Sequence, residues 1–119
     1  MNKRRVIVYI SGPYRGDIEE NICKARQMSI EIWKAGYTVI CPHLNTFHFE
    51  KDCTLPEKDY IMGDIEILRR VDIVFMLENW QKSEGANIEH EEAFRQGIPI
   101  VYNLEHLEAW YAAKPTVPI

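Results

Sequence analysis

The chain has 119 residues, 46% of them hydrophobic and 27% charged, which fits a single globular domain over 1–119 and excludes a disordered or fibrous protein. Its 14 Lys and Arg against 18 Asp and Glu leave a formal charge of −4, so no basic surface for nucleic acid is indicated. No apolar run approaches a membrane span and no signal-peptide pattern opens the chain; three cysteines without CxxC spacing (Cys23, Cys41, Cys53) read as buried or inert thiols in a reducing cytoplasm.

In chain order, Lys3-Arg4-Arg5 is a short basic end, and Arg5–Ile10 is a β-branched and aromatic strand ended by Ser11-Gly12-Pro13. Asp17 and Glu20 have capping-box spacing, and the helix they open carries Ile18, Ile22, Ala25, Met28 or Ser29, and Ile32 before Gly36 stops it. Tyr37–Cys41 is the second strand. Residues 43–56 show no period and read as a long loop. A helix over about Glu57–Arg70 follows, with Ile61, Ile65 and Leu68 on one face, then a third strand over Asp72–Leu77. Another helix runs from Gly85 to Gly97, a strand covers Ile98–Tyr102, and a last helix covers Leu104–Ala113 before a proline-containing tail.

Alternation of this kind predicts an α/β fold: one doubly wound, mostly parallel sheet of four or five strands, Rossmann- or flavodoxin-like, with helices on both faces. Ligands in such sheets bind beyond the carboxyl ends of the strands, which places Ser11–Gly16 and Glu78–Gly85 at the active edge.

The most informative segment is Ser83-Glu84-Gly85-Ala86-Asn87-Ile88-Glu89, a strand-to-helix turn whose free N–H groups and helix dipole suit an anion. Glu89 lies at the edge of the small-residue stripe Ala86, Ala93, Gly97, where a carboxylate needs a partner or a purpose. Glu91 and Glu92 read as a solvated face, and His90 as a hydrogen-bonded structural histidine. In Gly12-Pro13-Tyr14-Arg15-Gly16 the glycines permit a sharp turn and Arg15 offers a fork for phosphate oxygens, although turn geometry alone accounts for the loop. It matches neither the dinucleotide nor the P-loop pattern. Asp72 reads as a structural acid at the start of its strand, Asp64 as either solvated or functional, and Tyr9 as a core tyrosine able to reach the crevice. His43, Asn45 and His48 lack a third ligand of convincing spacing, so no metal site is read.

Together, Tyr9-Ile10-Ser11-Gly12-Pro13-Tyr14-Arg15-Gly16, Asp64 and Ser83-x-Gly85-x-x-x-Glu89-x-x-x-Ala93 resemble the nucleoside 2-deoxyribosyltransferase-like superfamily, which includes 2′-deoxynucleoside 5′-monophosphate N-glycosidases. The resemblance spans residues 6 to about 102, the middle loop excepted. It implies that Glu89 is the nucleophile at the anomeric carbon, that Asp64 assists the leaving base, and that Tyr9 orients the nucleophile.

Ser83 stands where the transferases acting on free nucleosides usually carry an acid and the monophosphate hydrolases a serine, which suits a dianion. With Ser83, the phosphate-binding set implied is Gly12, Pro13, Tyr14, Arg15, Gly16, Gly85 and Ala86. Pro13 replaces a further phosphate-binding serine, removing one hydroxyl contact. His43 and Asn45 are candidates for contacts to the base. The expected activity is hydrolysis of the N-glycosidic bond of a (2′-deoxy)nucleoside 5′-monophosphate, with base exchange and a non-catalytic nucleotide-binding module as alternatives. No cofactor is implied. The partners implied are a small nucleotide or nucleoside and further copies of the chain, in a homodimer or higher homo-oligomer.

Overall fold

A computed structural model describes residues 5–113; the Met1–Arg4 end and the tail from Lys114 lie outside the described residues. Four strands, β1 (Ile7–Ser11), β2 (Thr38–Ile40), β3 (Ile73–Met76) and β4 (Ile100–Val101), form one parallel sheet in the order β2-β1-β3-β4. The helices are α1 (Ile18–Lys34), α2 (Pro42–Asn45), α3 (Phe49–Asp52), α4 (Glu57–Leu68), α5 (Glu84–Gln96) and α6 (Leu104–Ala113). The strand order reverses between β1 and β3, which makes the end of that pair the switch point of a flavodoxin-like sheet.

Two apolar layers sandwich the sheet, and period-two alternation sorts the strand residues between them. Val8, Ile10, Ile73 and Phe75 pack with Ala25 and Ile32 of α1 and Leu107 of α6. Tyr9, Val74 and Met76 pack with Leu68 of α4 and with Ala86 and Ala93 of α5. Helices therefore cover both faces, and Tyr9 looks toward α5.

Local signals account for most element boundaries. Asp17 caps α1 by accepting from Glu20 N at 3.1 Å, but Glu20 turns to Lys24 at 3.2 Å and leaves the reciprocal half of the capping box unmade. Of the two alternatives on α1, Ser29 is the buried residue, its Oγ donating to the Ala25 carbonyl at 2.8 Å. Gly36 and Gly97 terminate α1 and α5 with φ of +103° and +71°. Gly97 is thus a cap and does not extend the packed stripe of Ala86 and Ala93. Asp72 Oδ2 accepts from Ile7 N at 2.8 Å, fixing the start of β3 beside β1.

Three expectations need correction. β2, β3 and β4 are shorter than the apolar runs that contain them, and β1 is shifted along its run to take in Ser11 from the expected turn. The segment expected as a loop folds into α2 and α3 as far as Asp52, single-turn helices too short to show a period, with Pro42 at the first position of α2. Cys41 is buried as expected, whereas Cys23 and Cys53 are exposed free thiols. No helix among the described residues is long and apolar enough to cross a membrane.

Candidate active site

The β1–α1 connection meets the start of α5 beyond the carboxyl end of β1. Asn79 takes a left-handed conformation (φ 67°), a single 3₁₀ turn covers Trp80–Lys82, and Ser83 then caps α5 by accepting from Ala86 N at 3.1 Å. The Asn87 amide donates to the carbonyls of Gln81 and Ser83 at 2.9 and 2.8 Å, tying the turn to the helix. His90 stacks on Trp80 with ring centroids 4.3 Å apart and bonds the Tyr102 hydroxyl at 2.8 Å, the structural role expected of it.

Glu89 sits on the face of α5 turned to the sheet and is 9% exposed. Tyr9 donates to its Oε2 at 2.7 Å and Ser11 to its Oε1 at 2.5 Å. Burial pushes the Glu89 carboxyl above its ordinary range, and the two hydroxyl bonds pull the other way. Desolvation is the larger influence, and the Ser11 and Tyr9 hydroxyls favour the anion. The Tyr9 phenol is pushed well above its ordinary value by burial and by Glu89, so it remains a donor.

Asp64, on α4, lines the same cavity as Glu89. Burial first, and then the Glu89 charge, raise its carboxyl to about 7. Burial thus raises both carboxyls of the crevice, Glu89 with hydroxyl donors on both oxygens and Asp64 up to about 7.

The cavity wall also holds Gly12, Tyr14, Arg15, His43, Ser83, Gly85 and Ala86. Tyr14 donates to Glu50 at 2.8 Å, and burial together with that bond carries its phenol to about 12. The Arg15 guanidinium is exposed, 3.6 Å from Glu57 at the mouth. His43 is buried and held below its ordinary value by desolvation; because a carbonyl only accepts, its Nε2–H donates to Pro13 O at 2.7 Å. That nitrogen is already engaged, so a contact to base would fall to the other edge of the ring.

Three expected contacts lie off this wall. Asn45 is exposed at the end of α2, Gly16 makes the turn into α1 with φ +99°, and Pro13 lines a neighbouring groove through which Arg15, Ser83 and Gly85 also pass.

The sequence reading gave no site role of its own to Ser11, nor to Glu50, Tyr60 and Ile61 of the wall. Ser11 had a usable signal: it lies two residues beyond Tyr9 and shares its face of the strand. The others sit on α3 and α4, where only tertiary structure brings them to the crevice. Glu92, expected to be solvated, is 5% exposed and bonds Arg69 Nε at 2.7 Å, because α5 packs on α4 along that side. Among the described residues no three His, Cys, Asp or Glu side chains converge as a metal-ligand set.

No protein of curated function matches the chain in sequence. A solved structure of a 2-deoxyribosyltransferase from the psychrotolerant bacterium Bacillus psychrosaccharolyticus matches in fold with a TM-score of 0.55 at 18% identity, over 80% of this chain and 70% of that one. The likeness extends to the parallel sheet with helices on both faces. Residues 6–102 match the family described as "Domain of unknown function (DUF4406)". The chain accordingly belongs to the DUF4406 family, with a fold of the nucleoside 2-deoxyribosyltransferase type.

Proposed function

We propose that the protein hydrolyses the N-glycosidic bond of (2′-deoxy)nucleoside 5′-monophosphates through a glycosyl ester on Glu89. The observation that carries the reading is the pairing of Glu89, held at both oxygens by hydroxyl donors, with Asp64, whose carboxyl keeps its proton up to about 7.

Glu89 attacks C1′ as the bond to the base nitrogen breaks, and Asp64 delivers its proton to the departing base. A water then attacks C1′ of the ester, giving its proton to the Asp64 carboxylate, and Glu89 leaves as the carboxylate. Two displacements at one carbon give net retention. The anion-facing start of α5, with Ser83, Gly85 and Ala86 beside Arg15, supports placing the 5′-phosphate at the mouth. A dianion there would compete with Glu57 for the Arg15 guanidinium. A homodimer, implied by the sequence resemblance, is tested by light scattering on the purified chain.

The experiment is base release from ribo- and deoxynucleoside 5′-monophosphates and the matching nucleosides, followed by chromatography, with Glu89→Ala alongside. Release from monophosphates that is lost in Glu89→Ala, with a sugar phosphate trapped on Glu89 in the wild type, is the expected result. Full activity in Glu89→Ala overturns the reading. Base exchange is the second reading, favoured by the named activity of the structural neighbour; release that requires an added free base would select it. Thermal stabilisation by monophosphates without any release would select a binding module.

A further inference from the structure

Ser11 closes β1 and is 1% exposed. Its carbonyl accepts from Leu77 N at 2.8 Å, which pins the backbone from which its side chain projects. Tyr9 is wholly buried in the layer between the sheet and α5, so its hydroxyl has one place to go, Oε2 of Glu89. The Ser11 hydroxyl takes the other oxygen, Oε1. One strand face thus supplies both donors from positions two apart.

We propose that Ser11 is a positioning residue for Glu89, its hydroxyl holding Oε1 so that the carboxylate stays ionised and fixed in one plane for attack. This rests on the reading of Glu89 as the nucleophile. The terminal torsion of a glutamate is broad and roughly two-fold, so one donor on one oxygen leaves the carboxylate free to rock. A second donor on the second oxygen removes that freedom. Burial also disfavours the anion, and a charge-assisted bond from a neutral hydroxyl offsets it without placing a cation next to the nucleophile. Alanine at this position would keep the backbone and lose only the donor.

The test compares Ser11→Ala, Ser11→Thr and Tyr9→Phe with the wild type by two readouts. The first is the titration of the Glu89 carboxyl in ¹³C-labelled, substrate-free protein, where Ser11→Ala should move the midpoint up by about one unit, the size of one hydrogen bond to a charged group. The second is base release from a nucleoside 5′-monophosphate: kcat falls about 10- to 100-fold, KM changes little, and the acid limb of the pH profile moves up with the carboxyl midpoint. Ser11→Thr, which keeps the hydroxyl, restores the midpoint.

An unmoved midpoint in folded Ser11→Ala overturns the proposal, as does a lower kcat with the acid limb unmoved, since a merely structural role would give that. If the wild type releases no base, the glycosidase reading fails, and the titration alone decides whether Ser11 holds Glu89.

Discussion

Asp64 and Glu89 share one crevice, and the charge on Glu89 contributes to lifting the Asp64 carboxyl to about 7. Burial supplies the larger part of that lift. In the proposed hydrolysis the two carboxyls take different parts, Glu89 as the anion held by two hydroxyl donors and Asp64 as the acid that keeps its proton up to about 7.

A pH profile follows from these parts. Rate should rise as Glu89 ionises and fall as pH climbs through about 7, where Asp64 loses its proton. Asp64→Asn should cost about 100-fold or more in kcat and abolish the alkaline limb, with the smallest loss on substrates whose base leaves readily. The same shift has a stability consequence. Between the ordinary value of 3.8 and about 7 the folded chain holds a proton at Asp64 that the unfolded chain does not, so stability falls as pH rises through that window. Asp64 is only partly buried, and after discounting for solvent the effect is on the order of 1–2 kcal/mol. Asp64→Asn should then melt higher than wild type at pH 8 and close to it at pH 4, as scanning calorimetry would read. A lower melting temperature at pH 8 would contradict the raised carboxyl.

Ser83 has two roles that one substitution separates. Its Oγ caps α5, and aspartate caps a helix about as well. Ser83→Asp should leave the melting temperature nearly unchanged while placing a negative charge where the phosphate is proposed to lie. Activity on monophosphates should drop about 100-fold relative to activity on free nucleosides, a like-charge clash of a few kcal/mol. Equal losses on both substrates would show that Ser83 does not face the phosphate.

Much of this was legible from local chemistry. β-branched runs marked the strands, Gly36 and Gly97 marked two helix ends, and the Ser83-to-Glu89 turn marked the sheet edge where the cavity lies, because each signal acts over a few neighbouring residues. What failed depends on residues far apart in sequence. Ser11 was read only as the start of the turn after a strand, since the partner that gives it meaning is 78 positions away. The single-turn helices α2 and α3 have no period to detect. Glu92 looked solvated because Arg69, which reaches it from beside α4, leaves no mark on the sequence of α5.

Glu92 accordingly carries a prediction of its own. Arg69 and Gln96 both donate to its Oε2, at 2.7 and 2.8 Å, and Arg95 lies 3.2 Å from Oε1. The Arg69 bond, then the Gln96 bond, hold the carboxyl below its ordinary range. A depressed carboxyl contributes stability above its unfolded value and loses it as pH falls through the folded one. Glu92→Gln should lower the melting temperature at pH 7, and the gap to wild type should close in acid. A gap that stays constant down to pH 2 would show that the pairing is not ionic in origin.

Gly12 joins the end of β1 to the end of β3 at a separation that admits no side chain. A Cβ built there would lie 2.7 Å from Leu77 Cβ and 2.8 Å from its Cδ1, and Leu77 cannot retreat because its N–H is bonded to the Ser11 carbonyl. Gly12→Ala should therefore cost about 1–3 kcal/mol, as overpacking of a closed contact does. Part of that should appear as movement of Ser11, the immediate neighbour, and so as slower base release. Leu77→Ala alone removes a buried side chain and should cost about 2 kcal/mol or more. The double substitution is the informative one, because removing Cγ and Cδ1 of Leu77 relieves two of the three close contacts of the new methyl and leaves only the one to Cβ at 2.7 Å. Its destabilisation should be smaller than the sum of the two single values by about 1 kcal/mol, measured by denaturant unfolding. Strict additivity would mean that the contact with Leu77 Cβ, which alanine keeps, sets the cost, so that the loop meets the new methyl by moving away from β3, carrying Ser11 off Glu89 and leaving activity low in both alanine variants at position 12.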